Sequence, residues 1–181
     1  DSEAFRSMFV TLGSNPLLGI FAGAFVTAII QSSSASQGIL LSLAASGLVP
    51  FNAAVYIIMG QNIGTCVTAL ISGIGATKTA KCVGYMHLMF NITGTIVFSI
   101  VAIVYFTIIN PAMGGEIITQ TQISAIHTIF NIGTTLMVIP LSNIIIKIAK
   151  RINHVQEIER KDESQLVHLD KRILETPSLA V

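Results

Sequence analysis

Gln31-Ser32-Ser33-Ser34-Ala35 lies inside a stretch, residues 7–77, that contains no Asp, Glu, Lys or Arg. Four polar side chains in a row thus fall at the centre of a long uncharged run with no ion beside them. Polar groups in hydrocarbon are costly unless satisfied, so such a cluster reads as a functional site by default. Small-residue helix packing is the plainer reading, but a helix presents only one or two of four consecutive residues to a neighbour. The flanks, Gly23-Ala24-Phe25-Val26-Thr27-Ala28-Ile29-Ile30 and Gly38-Ile39-Leu40-Leu41, suit packing in lipid.

The rest of the chain agrees with a membrane setting. Of 181 residues, 52% are hydrophobic and 10% charged, where a soluble domain carries about 25% charge. Thirteen of the nineteen charged residues follow Ile146. The expectation is an all-α membrane protein in a lipid bilayer, with a short polar tail. A net charge of +1 without a long basic run gives no reason to expect a nucleic-acid partner. Cys66 and Cys82 fall in or beside apolar segments, as packing residues do, and not as a disulfide or metal pair. The chain begins at Asp1 with no cleavable signal pattern, and is expected to be a piece of a longer protein.

Crossing the hydrocarbon takes about 20 helical residues. The apolar runs 16–30 and 37–48 are each short for that, with the serines between them. Such a pair is read as one broken helix or as a re-entrant hairpin with Ser32–Ser34 at its tip. Residues 51–72 are long enough to span, but Gly60-Gln61-Asn62-Ile63-Gly64-Thr65 suggests an unwound centre. Residues 82–108 and 122–146 supply two further spans. Lys78 and Lys81 are separated from Lys147, Lys150 and Arg151 by two crossings, so both groups fall on one side, which the basic-residue rule makes cytoplasmic. Arg6 argues mildly against this orientation.

A short internal echo links the last two spans. His87-Leu88-Met89-Phe90-Asn91-Ile92-Thr93-Gly94-Thr95 recurs as His127-Thr128-Ile129-Phe130-Asn131-Ile132-Gly133-Thr134-Thr135. His87, Asn91 and Thr95 share a helix face, as do His127, Asn131 and Thr135. Interhelical hydrogen bonding and a ligand role for the asparagines both remain open.

Serine hydroxyls and the free N–H groups of a helix beginning after the cluster make an anion site. A second half-helix beginning near Thr65 would add another. Two such ends supply about one positive charge, against nearly two negative charges on phosphate. No Lys or Arg lies nearby, which points to co-bound cations. Proton coupling usually uses an intramembrane acid or His; the spans hold no carboxylate, and only His87 and His127 could serve. Sodium, served by amide, hydroxyl and unwound carbonyl oxygens, is favoured. A serine-hydrolase frame of Gly-x-Ser-x-Gly and a complete P-loop are both missing.

Gln31-Ser32-Ser33-Ser34-Ala35, followed by Gly60-Gln61-Asn62-Ile63-Gly64-Thr65-Cys66-Val67-Thr68-Ala69, resembles the type II sodium/phosphate cotransporter family. His127-Thr128-Ile129-Phe130-Asn131 and the segment from Leu169-Asp170 to Thr176-Pro177-Ser178 are similar to its bacterial branch, in which a PhoU-like helical domain follows the membrane domain. The resemblance implies two inverted repeats, each with a Gln-Ser-Ser motif, that symport sodium and inorganic phosphate. This chain, with one motif, would be the second repeat, partnered by a first membrane repeat. Gln31, Ser32, Ser33 and Ser34 would contact phosphate and sodium. Gln61, Asn62, Thr65 and Thr68 would complete the set from the broken helix, with sodium held through Gln31, Ser32, Asn62 and Thr65. His87, Asn91, Thr95, His127 and Asn131 would stand behind these ligands.

The resulting expectation is a re-entrant helical hairpin, one broken transmembrane helix and two further spans, forming half of an inverted-repeat transporter in the cell membrane. Residues 1–150 would be the membrane repeat and 151–181 a cytoplasmic linker to a PhoU-like domain. No enzyme activity and no cofactor beyond the coupling sodium are expected. A phosphate-sensing membrane regulator signalling through the PhoU-like domain is the alternative.

Overall fold

The computed structural model describes residues 2–154, and the expected linker from residue 155 onward lies outside them. Among the described residues eight α-helices follow one another: α1 (Ser2–Ser14), α2 (Pro16–Ile30), α3 (Ser33–Ala45), α4 (Phe51–Ser72), α5 (Lys78–Val104), α6 (Pro111–Gly115), α7 (Gln120–Val138) and α8 (Ser142–Ile152). A π-helical turn, Tyr105–Ile109, extends α5, and a 3₁₀ turn at Ile139–Leu141 joins α7 to α8. Among the described residues the only extended pairing is one bridge between Pro50 and Ile117. The protein is all-α, and among the described residues three helical stretches are long and apolar enough to cross a membrane: Phe51–Ser72, Lys78–Ile109 and Gln120–Ile152.

The boundaries follow from local chemistry. Asn15 Oδ1 accepts from the N–H groups of Leu17 and Leu18, and Pro16 occupies the first helical position of α2, where its missing N–H costs nothing. The chain turns through 114° there. Gln31 closes α2 in the left-handed conformation, φ 55°, and Ser32 caps α3 by accepting from the Ala35 N–H at 3.3 Å. Thr119 and Gln122 form a reciprocal capping box on α7.

Helix α4 is the axis of the fold, with 56% of its apolar window buried against 22% for each of the other two spans. Helix α2 lies parallel to it along a seam of small residues. Cβ atoms placed on Gly60 or Gly23 would collide with the carbonyl oxygens of Ile20 and Ile57 respectively, and one on Gly64 would fall 2.5 Å from Ala24 O. Glycines four apart on both helices, Gly19 and Gly23 on one and Gly60 and Gly64 on the other, let the backbones touch.

This seam corrects the expectation for residues 60–65. Helix α4 is continuous from Phe51 to Ser72, so the two glycines serve close approach and not unwinding. Its 22 residues extend for about 33 Å, enough for a hydrocarbon core of about 30 Å.

Helices α2 and α3 are only about 22 and 20 Å long. Helix α2 starts level with the beginning of α4, where Gly19 abuts Tyr56, and reaches mid-helix, where Ala28 and Thr27 meet Gly64. Helix α3 departs from that depth, with Ser36 bonded to Gln61, and returns so that Gln120 donates to Leu41 O at 3.2 Å. The two arms therefore make a hairpin open at one end of α4, with its Gln31-Ser32 tip near half-depth. Helix α1, not foreseen from sequence, packs on α4 and α2, and its Phe5, Met8, Phe9 and Leu12 face the hairpin arms across a cavity of about 300 Å³.

The charged ends also separate. Phe51 N–H donates to Glu116 O at 2.8 Å at the start of α4. At the other end Lys78 Nζ donates to His154 O at 3.2 Å, and the Cys82 thiol lies 3.4 Å from Ala149 O.

Candidate functional site

The hairpin tip brings α3 against the middle of α4. Ser33 and Gln37 from α3, Gln61, Asn62 and Thr65 from α4, and His127 from α7 together line a cavity of about 10 Å³. All six side chains are polar, and none carries a permanent charge. A volume of this size holds one water-sized body. It suits a stripped monatomic cation and is too small for phosphate.

The hydrogen bonds around the cavity leave its oxygens available. Asn62 Nδ2 donates to Ile58 O at 2.8 Å, and Thr65 Oγ1 donates to Gln61 O at 2.8 Å. Both donors point back along α4, so Asn62 Oδ1 and the Thr65 lone pairs are left to accept. Gln61 Nε2 donates to Ser36 Oγ at 3.0 Å, and Ser36 Oγ shares a 2.8 Å hydrogen bond with Thr27 Oγ1. This chain ties α2, α3 and α4 together and fixes the amide of Gln61, which is 5% exposed. Gln61 Oε1 is left buried without a partner. A buried acceptor without a donor costs about 1–3 kcal/mol, a cost that a bound cation would remove.

The other expected residues lie elsewhere. Gln31 and Ser34 are exposed at the hairpin tip, and Thr68 is exposed on α4. Ser32 Oγ is engaged as the α3 cap. Asn91 Nδ2 donates to His87 O at 3.0 Å and to Cys66 Sγ at 3.3 Å, while Thr95 Oγ1 donates to Met59 O at 3.5 Å. This face of α5 therefore packs on α4. In the echo, Asn131 Nδ2 donates to His127 O at 2.8 Å and Thr135 Oγ1 to Asn131 O at 2.8 Å. The two copies share an internal hydrogen bond, but only His127 reaches the cavity. Continuous α4 offers no unwound carbonyls, so the available oxygens on this helix belong to side chains.

Two participants went unforeseen, Ser36 and Gln37. Their signal was present: they stand three and four residues after Ser33, on the same face of a helix begun by Ser32.

A family model described as Na+/Pi-cotransporter matches residues 2–114. The chain is 31% identical over 128 residues to uncharacterized protein YqeW of Bacillus subtilis (strain 168), covering 69% of this chain and 40% of that protein. It is 33% identical over 162 residues to sodium-dependent phosphate transport protein 2B of Homo sapiens, covering 83% and 22%. It is 50% identical over 58 residues to sodium-dependent phosphate transport protein 2A of Rattus norvegicus, covering 32% and 9%. The chain thus spans less than half the length of each of these relatives. No solved structure is a significant match.

Proposed function

The chain belongs to the Na+/Pi-cotransporter family, and from that premise we propose that it forms one half of the membrane domain of a sodium-coupled phosphate symporter. The observation that carries the reading is the six-residue polar cavity between the hairpin tip and the middle of α4, lined in part by Gln61, whose Oε1 is buried without a partner. Sodium is the cation the donor set fits: hard amide and hydroxyl oxygens, and no Cys or carboxylate. Gln61, Asn62 and Thr65 would hold it, with Ser33 and Gln37 from the facing helix.

Phosphate needs a larger space than this cavity. The N-terminus of α3 offers unsatisfied N–H groups and the exposed Ser34 hydroxyl, an arrangement that favours an anion. Gln31 supports the same placement. A side chain with a β-carbon in the left-handed region costs about 1–2 kcal/mol, so Gln31 stands at φ 55° against its backbone preference. Its amide projects from the tip, where a first membrane repeat would close over phosphate. Sodium beside the anion would offset charge that the uncharged site cannot, which gives the two substrates a shared site.

Relatives named as sodium-dependent phosphate transport proteins support this reading over a purely sensory role. The test is radiolabelled phosphate uptake by proteoliposomes of the full-length protein under a sodium gradient and under an equal potassium gradient. Uptake in sodium alone supports symport. Equal uptake in both, or none in either, rejects it.

A further inference from the structure

At the opposite end of α4 from Glu116, a cavity of about 340 Å³ opens between α4, the turn after it and the start of α5. Its wall contains Ala69, Leu70, Ile74, Lys81 and Tyr85, with Gly73 and Gly75 forming the turn. Gly75 is left-handed, φ 78°, which swings the chain around the cavity and leaves Ile74 79% exposed at its mouth. Helix α4, about 33 Å long, just crosses a hydrocarbon core of about 30 Å, so the turn after it, at the mouth of this pocket, falls near the headgroups.

Among the described residues the nearby charges are basic. Lys78 bonds to the chain just after α8 through His154 O, and Cys82 bonds to Ala149 of α8. Lys147, Lys150 and Arg151 therefore lie on the helix beside Lys78 and Lys81. Neither described carboxylate competes: Glu116 is at the far end of α4, and no residue of α1, which carries Glu3, lines the pocket.

We propose that this pocket binds the headgroup of an anionic glycerophospholipid. Lys81 and Tyr85, one helical turn apart, supply an ammonium and a hydroxyl to the phosphodiester. Leu70 and Ile74 cover the first methylenes of an acyl chain. Basic pockets between membrane helices recognise anionic headgroups in this way, and the volume suits a small polar ligand. The site is separate from the α3–α4 cavity and does not depend on what that cavity transports.

Binding of dioctanoyl phosphatidylglycerol and dioctanoyl phosphatidylcholine to the detergent-solubilised full-length protein, counted by native mass spectrometry, tests the proposal. Wild type should retain phosphatidylglycerol in preference to phosphatidylcholine, and inorganic phosphate should not displace it. Losing a charge-assisted hydrogen bond through Lys81→Gln should weaken binding about tenfold or more, while Lys81→Arg keeps it. Lys147→Gln, outside the pocket, should change it less than twofold. Ile74→Asp, at an exposed position that tolerates polarity, should also weaken binding, and it decides the matter if Lys81→Gln fails to fold. Equal retention of both lipids, displacement by inorganic phosphate, or an equal loss in Lys81→Gln and Lys147→Gln would overturn the assignment.

Discussion

Ser36 is the side chain on which the geometry of Gln61 depends. It is 2% exposed and accepts from Gln61 Nε2 while bonded to Thr27. Ser36→Ala strands two buried groups and should lower stability by about 1–3 kcal/mol, read as a fall in melting temperature of the purified protein. An unchanged melting temperature would mean that the network does not hold the amide. Gln31 predicts the reverse pattern. Gln31→Gly relieves a left-handed residue, with a gain of up to about 1 kcal/mol. Its melting temperature should hold or rise while phosphate uptake falls. Unchanged uptake would remove Gln31 from the site. Ser33, Gln61, Asn62 and Thr65, which line the cavity, stood out in the sequence because polar side chains are conspicuous in an uncharged stretch, while Ser32 and Ser34 stood out equally and lie outside it. Ser36 and Gln37 did not stand out, because reading the serines as a consecutive run hid the helical face that begins with Ser33.

At the scale of elements, the contact between α2 and α4 rests on glycine. Gly60→Ala drives a methyl into the backbone at Ile20, and overpacking of this kind costs about 1–3 kcal/mol. Gly38→Ala, on α3 with nothing within 4 Å, should be neutral or stabilising by up to about 1 kcal/mol. Thermal melts of the two variants side by side test the seam, and equal effects would deny it. The limits of sequence reading are clear at Gly60 and Gly64. Two glycines flanking Gln-Asn can mark an unwound helix or a small-residue seam, and one strand of sequence gives both the same spacing. The matching Gly19 and Gly23 decide between them, but only once α2 is known to lie alongside α4. Residues 16–30 and 51–72 were readable to their ends because Pro16 and Pro50 fix the starts and apolar runs fill the rest. Helix α1 was missed because 2–14 is too short and too polar at its start to read as a span, and its packing comes from α4 and α2, distant in sequence from any local signal.

At the scale of the described residues, the hairpin opens at the Glu116 end, and Lys78, Lys81, Lys147, Lys150 and Arg151 gather at the other. Under the basic-residue rule, a cysteine placed at position 78 should react with a membrane-impermeant reagent only from the cytoplasmic side, and one at 116 only from outside. The opposite pattern would invert the protein in the membrane. The central claim is that sodium and phosphate meet where the hairpin tip touches the middle of α4. The most direct measurement is the sodium dependence of phosphate uptake by full-length protein in proteoliposomes, wild type beside Asn62→Ala. Removing a ligand oxygen worth about 1.5–3 kcal/mol should raise the half-saturating sodium concentration by roughly ten- to hundredfold. A half-saturating concentration within twofold of wild type would contradict the account.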